Sequence, residues 1–174
     1  MLRAATLCRR AFAPAIVALA LCATTRAGDA PSAAARPDVS LQVVVLSATG
    51  RAEKPEFDRR TPLPLRKQIE CQNLAYGRYD LLDVHRKDAR FGADVNLDLP
   101  DKETLVLRPS ADEGSPLRIR LGCRILDAEK KAILVNTMRL GYGRSFIIQR
   151  SKGPGSGLLI GISAQKPAEN APKP

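Results

Sequence analysis

The stretch Leu117-Arg118-Ile119-Arg120-Leu121-Gly122-Cys123-Arg124-Ile125 is the longest alternation of apolar and polar residues in the chain. Successive side chains of a β-strand point to opposite faces of a sheet, so this stretch predicts a strand with one buried and one solvent-facing side. Turn-forming residues bound it at 111–114 and 127–130. The stretch therefore predicts an antiparallel sheet that covers a core with its apolar face.

Shorter apolar or alternating runs occur on both sides of this stretch, most of them ended by turn-forming residues. They predict strands over 41–46, 93–99, 105–107, 133–140, 145–149 and 157–164, with a further strand-like run over 81–87. Strands that recur at this spacing are typical of a sandwich or a barrel. The fold is therefore predicted to be mainly β, an antiparallel β-sandwich-like sheet of about seven or eight strands.

One segment has helical periodicity instead. Thr61-Pro62 is typical of a helix start, because proline is favoured at the first helical position. Leu65, Ile69 and Tyr76 then fall on one helical face. These features predict one α-helix over about residues 62–75, packed on the sheet after the first strand.

The first 27 residues contain four arginines, no acidic residue and a short apolar run over 11–23. A helix that spans a bilayer needs about 20 apolar residues, so this run is too short for a permanent span. A basic start, a short apolar centre and small residues at Thr25 and Ala27 indicate a secretory signal peptide over residues 1–27. We therefore expect an exported protein, periplasmic or extracellular, whose mature chain begins at Gly28 and has no transmembrane span.

Two variants of this signal affect the route of export. Arg9-Arg10 resembles a twin-arginine signal, although an ordinary signal peptide can also contain two arginines. The run Leu19-Ala20-Leu21-Cys22 resembles a lipoprotein signal, but Leu21 stands where that motif needs a small residue. We do not expect Cys22 to be acylated, and twin-arginine export stays open.

The segments beside the predicted sheet are rich in Ala and Pro, which predicts a disordered linker over residues 28–38 and a disordered tail over 165–174. One β-rich domain is left over residues 39–164, long enough to bury a core without help from a metal. The whole chain has 28 Lys and Arg against 18 Asp and Glu, a formal charge of +10. The predicted domain has 21 basic and 15 acidic residues, so its excess is only +6.

Arginines line the predicted outward face of the sheet. The candidate residues are Arg118, Arg120 and Arg124 on the alternating strand, with Arg108 and Arg139 on or beside its predicted neighbours. Guanidinium groups fit phosphate and carboxylate, so this face is a candidate surface for anionic lipid or polysaccharide. In the alternative, outward acids such as Asp94 pair with these arginines across strands. Nucleic acid is not an expected partner, because only 4% of the residues are aromatic and could stack on bases.

Cys71 and Cys123 are the two cysteines beyond the predicted signal peptide, and an exported protein with one pair permits one disulfide. The alternation places Cys123 on the core-facing side of its strand, and a helix covering that strand would bring Cys71 towards it. However, Cys71 lies off the apolar face of the predicted helix. Two free thiols are the equal alternative.

No catalytic or metal-binding constellation is recognisable in the sequence. His85 is the only histidine, which excludes sites that need two. A hydrolase triad would require His85 as its base, and no GxSxG motif accompanies it. We therefore predict no cofactor, no metal and no enzymatic activity.

The leading hypothesis is an exported binding or assembly module of the bacterial cell envelope, with another envelope protein as partner. The alternative is an anionic lipid- or polysaccharide-binding protein that uses the arginine-rich sheet face.

Overall fold

The computed structural model describes residues 37–72, 74 and 76–167. The predicted signal peptide, most of the predicted linker and residues 168–174 of the predicted tail lie outside the described residues. Nine β-strands and one α-helix lie within them. Their bounds are β1 Val39–Thr49, β2 Glu56–Phe57, α1 Leu63–Gln72, β3 Arg78–Ala89, β4 Val95–Asp98, β5 Thr104–Ala111, β6 Arg118–Leu126, β7 Ala132–Gly141, β8 Ser145–Gly153 and β9 Ser156–Gln165.

The strands form two sheets. Sheet A has five strands in the order β2-β3-β1-β9-β8, and sheet B has four in the order β4-β5-β6-β7. Every pairing is antiparallel except that of β2 with β3. The predicted fold class, a mainly β antiparallel sandwich with one helix, is confirmed. The strand that the sequence did not predict is β2, whose two residues are too few to show a pattern.

The main core lies between the two sheets. On β6, Ile119, Leu121, Cys123 and Ile125 are fully buried and belong to this core. The predicted alternation of this strand is thus the observed one, with its arginines exposed on the other face. Apolar side chains of β1 and β9 complete the core from sheet A: Val39, Leu41, Val43, Val45, Leu158, Ile160 and Ile162.

Helix α1 packs on the opposite face of sheet A. Leu65 and Ile69 of the helix form a second cluster with Val44 and Leu46 of β1 and Leu159 of β9. Sheet A is therefore buried on both faces in its centre. This is why β1 and β9 contain continuous apolar runs in their centres, whereas β6 alternates.

Two glycines of β9 make room for the helix side of sheet A. A Cβ atom added at Gly161 would lie 2.8 Å from Cδ1 of Leu65, and one added at Gly157 would lie 2.4 Å from the hydroxyl oxygen of Tyr76. Neither distance leaves space for a methyl group. The absence of side chains at these positions allows α1 and Tyr76 to approach the backbone of β9.

An ion pair links the two sheets away from the apolar core. Arg150 of β8 bonds to Glu103, which directly precedes β5, and both side chains are largely buried. Nearby, Lys152 of β8 pairs with Asp101. Because β8 belongs to sheet A and β5 to sheet B, these contacts fix the relative position of the sheets at this end.

We expect Gly161→Ala to lower the free energy of unfolding by about 1–3 kcal/mol, because the added methyl group must displace Leu65 from a packed cluster. Urea denaturation measures the change. Gly122→Ala is the matched control, since its Cβ would meet nothing closer than 3.6 Å on the outer face of β6. A Gly161→Ala protein as stable as the Gly122→Ala protein would contradict this packing of α1.

Candidate functional site

All five predicted arginines lie on one surface, the outer face of sheet B. Arg120 of β6 is directly opposite Arg139 of β7, and Arg108 of β5 is opposite Gly122 of β6. Arg118 and Arg124 share the face of Arg120 because residues two apart on a strand point the same way. The structure thus brings these side chains together on the side of sheet B away from the core.

Two of the five arginines share one acid. Asp94 accepts a hydrogen bond from Nε of Arg108 at 2.6 Å and another from Nη2 of Arg124 at 3.2 Å. This is the cross-strand pairing that the sequence allowed as the alternative to ligand binding. Arg108 and Arg124 therefore have a structural partner and contribute less to a free anion-binding surface.

The other end of the face is richer in positive charge. Arg139 has a more distant acidic partner, with its Nε 3.8 Å from Oδ1 of the buried Asp112. Among the described residues, no carboxylate forms an ion pair with Arg118 or Arg120. Like charges placed directly opposite each other on two strands repel, so the Arg120–Arg139 pair is a site where an anion would be favourable.

Arg144 adds a fourth positive charge to this end. It follows β7, and its Cγ lies 3.4 Å from the place that a Cβ of Gly141 would occupy. Gly141 is opposite Arg118, so the missing side chain leaves space for Arg144 on the outer face. We call Arg118, Arg120, Arg139 and Arg144 the arginine cluster.

Strand β7 forms one edge of sheet B and borders the arginine cluster. The amide of Tyr142 donates to the carbonyl of Leu117 at 3.2 Å, which fixes the phase of hydrogen bonding between β7 and β6. Bonded and non-bonded residues alternate along an antiparallel strand, so the backbone groups of Val135, Thr137 and Arg139 point away from β6. No described residue bonds to these backbone N–H and C=O groups, which line the edge.

The side chains of this edge give it little protection against pairing. Ile133 is 43% exposed and Val135 is 69% exposed. Strand β3 of sheet A, which pairs with β2 only at Arg78 and Tyr79, is different. Asp83, Arg86 and Lys87 give the rest of it charges that discourage pairing with another strand. Between residues 132 and 138, β7 contains no charged residue and no proline. A long, apolar, open edge of this kind is suited to accept a further strand.

Sequence reasoning did not identify β7 as the edge strand, although it predicted a strand over 133–140. The uncharged run over 132–138 was the available signal. This run alone could not identify the edge strand, because the sequence does not give the order of the strands in the sheet.

The structure does not bring Cys71 and Cys123 together, and both are free thiols. Cys71 is exposed on α1, on the outer face of sheet A, whereas Cys123 is buried between the sheets. The helix covers sheet A and not the strand of Cys123, so the condition for the disulfide is not met. Burial raises the pKa of the Cys123 thiol to about 11, which keeps it protonated and unreactive at neutral pH.

His85 is half-buried on β3 beside Asp83. Its Nε2 lies 3.2 Å from Oδ2 of Asp83, but the atom has no hydrogen-bond partner. No serine or threonine hydroxyl bonds to it within the described chain. The geometry therefore provides no Ser–His pair for nucleophilic catalysis.

Two concave surfaces lie on the sheet A side of the described chain. A groove of about 110 Å³ lies beside the start of α1, below the usual size of a small-molecule site. A wider concavity of about 470 Å³ near β2 contains two ion pairs, Arg60–Asp58 and Arg78–Asp80. Hydrogen bonds from Arg60 lower the pKa of Asp58 to about 2, so this pair persists at any moderate pH. Among the described residues, no histidine or cysteine lines either surface.

Within the described ranges, no group of three or more His, Cys, Asp or Glu residues is placed to hold a metal ion. The same part of the chain has no helix with both the length and the apolar character to cross a membrane. Comparison with protein-family models, with curated proteins and with solved structures found no match for this chain. The outer face and open edge of sheet B are therefore the features on which a function can be argued.

In protein that begins at Gly28, and so lacks Cys8 and Cys22, we expect one cysteine to react with an alkylating reagent in the native state at pH 8. Both Cys71 and Cys123 should react in denaturant. Cys123 is protected by burial and by its raised pKa, whereas Cys71 is exposed. Mass spectrometry counts the added groups, and a Cys71→Ser variant provides the control, with no native labelling. Rapid native labelling of Cys123, or a mass showing a disulfide, would contradict this arrangement.

Proposed function

We propose that this protein is an exported, non-enzymatic binding module of the bacterial cell envelope that joins a partner protein through the open edge of β7. The observation that carries the proposal is the edge itself. It has outward backbone groups at Val135, Thr137 and Arg139, exposed apolar side chains and no charged residue over 132–138.

The recognition mode would be the addition of a strand to sheet B. An extended segment placed beside β7 would pair with the free N–H and C=O groups of three residues. Each backbone hydrogen bond contributes about 0.5–1.5 kcal/mol net, and burial of Ile133 and Val135 adds to it. The sandwich supplies a rigid base for this edge, because sheet B is held to sheet A by the apolar core and by the Arg150–Glu103 pair.

Export is supported by the sequence of residues 1–27. Their basic start, short apolar centre and small residues before Gly28 are those of a cleaved signal peptide. The partner would then be another protein of the periplasm or cell surface.

A second candidate function is direct binding of an anionic lipid or polysaccharide. It is favoured by the arginine cluster, where Arg118 and Arg120 have no carboxylate partner among the described residues and Arg120 faces Arg139. This binding would weaken strongly between low and moderate salt, because exposed charges are screened.

The test is crosslinking in living cells with a photoreactive amino acid at position 135. We expect capture of a specific partner, attached to the mature chain that begins at Gly28, and loss of capture when Thr137→Pro is added. Proline removes the outward N–H of residue 137 and spares the bonds between β7 and β6. The photoreactive residue at position 84, on the charged part of β3 that β2 does not pair with, is the matched control and should not capture the same product.

Capture at position 135 that survives Thr137→Pro would contradict pairing along the edge. If capture is instead lost in Arg118→Gln/Arg120→Gln and purified protein binds anionic liposomes in a salt-dependent manner, the second candidate is supported. Arg86→Gln/Lys87→Gln, which changes the net charge equally on sheet A, is the control for that outcome.

A further inference from the structure

Arg139 is both one of the three residues of β7 with outward backbone groups and a member of the arginine cluster. Residues directly opposite each other on paired strands place their side chains on the same face, about 4.5–5.5 Å apart. A residue of an added strand opposite Arg139 would therefore lie on the outer face, beside the arginine cluster. A residue opposite Val135 would lie beside an exposed apolar side chain.

We propose that the partner segment is an extended acidic strand, antiparallel to β7, with Asp or Glu opposite Arg139 and a β-branched apolar residue opposite Val135. In an antiparallel strand these two residues are four apart, with the acid first. This inference rests on the proposed function, because it specifies the chemistry of the strand that the edge receives. We expect the added strand to pair antiparallel with β7, because all strand pairs of sheet B are antiparallel and this pairing is the more stable form.

Charge complementarity supports the carboxylate. Arg139 faces Arg120 across the strands, and Asp112 is its only described acidic neighbour, at 3.8 Å. A carboxylate on the other side of Arg139 would lie beside the arginine cluster, whose one described ion pair is that of Arg139 with the buried Asp112. It would thus offset the repulsion between Arg120 and Arg139.

The other end of the edge favours an apolar residue. Val135 is opposite Arg124 of β6, and the guanidinium of Arg124 is already engaged by Asp94. Val135 itself is 69% exposed, and Ile133 beside it is 43% exposed. A β-branched side chain here buries apolar surface without leaving a charge unpaired.

A second copy of this chain fits the edge less well. If two β7 strands paired about Thr137, each Arg139 would face the Val135 of the other copy. The two arginine clusters would also lie on one continuous face with no added acid. The charges therefore favour a different, acidic chain over self-association.

The experiment measures binding of three fluorescent nine-residue peptides to the purified protein by anisotropy at low salt. The first is Thr-Thr-Glu-Thr-Thr-Thr-Val-Thr-Thr, and the others replace Glu by Gln or by Lys. We expect the Glu peptide to bind about 5-fold more tightly than the Gln peptide, and the Lys peptide to bind least. Arg139→Gln should make the Glu and Gln peptides equal, whereas Arg86→Gln, at the matched control position, should preserve the difference.

Thr137→Pro separates this inference from the proposed function. Loss of all peptide binding in this variant, with equal affinities for the three peptides in the parent, would support the edge and overturn the acidic segment. Binding of the Glu peptide that survives Thr137→Pro would show that the arginine cluster binds anions without a strand and would overturn the inference.

A dimer in sedimentation that Thr137→Pro dissociates would make a second copy the occupant and would overturn the acidic partner. No binding of any peptide at millimolar concentration contradicts both proposals. Thermal melting of each variant confirms that it is folded, and Arg120→Gln, which should reduce the Glu preference, replaces Arg139→Gln if that variant unfolds.

Discussion

The packing of the apolar side of β6 against sheet A is the interaction on which the rest of the structure depends. Ile119, Leu121, Cys123 and Ile125 are fully buried between the sheets, and their burial fixes the direction of every other side chain on the strand. A shift of one residue in register would expose this apolar set and bury arginines. The core thus determines that the arginine-rich side of sheet B faces solvent.

The same packing separates the buried face of sheet B from the face on which we propose binding. Sheet A is covered in its centre by α1 on one face and by sheet B on the other. The glycines of β9 allow the helix to lie close, and the groove beside the start of α1 has a volume of about 110 Å³. The outer face of sheet B carries the arginine cluster, and its β7 edge has no charged residue over 132–138. The arginine cluster and the β7 edge, on which the proposed binding rests, therefore both lie on sheet B.

Local patterns predicted most of the fold, because side-chain alternation and helix-start residues act over short distances. The strand over Arg118–Leu126 and the helix after Thr61-Pro62 are examples. The order of strands in each sheet could not be predicted, since it depends on pairing between distant segments. For that reason the sequence did not show that β7 is an edge strand, or that Arg144 lies over Gly141.

The site was predictable to the same extent. The common outward face of the predicted arginines follows from alternation, and so does the burial of Cys123. The division of the face into a part neutralised by Asp94 and a part without described carboxylate partners at Arg118 and Arg120 depends on three-dimensional positions. Local patterns also could not predict on which face of sheet A the helix α1 packs. This placement keeps Cys71 away from Cys123.

Hydrogen exchange of the β7 amides in the free protein tests the open edge most directly. The amides of Asn136, Met138 and Leu140 point towards β6 and should be protected, whereas those of Val135, Thr137 and Arg139 should exchange rapidly. NMR resolves these amides one by one. Protection of all six would show that the edge is already covered and would contradict an open binding edge, as would rapid exchange of all six.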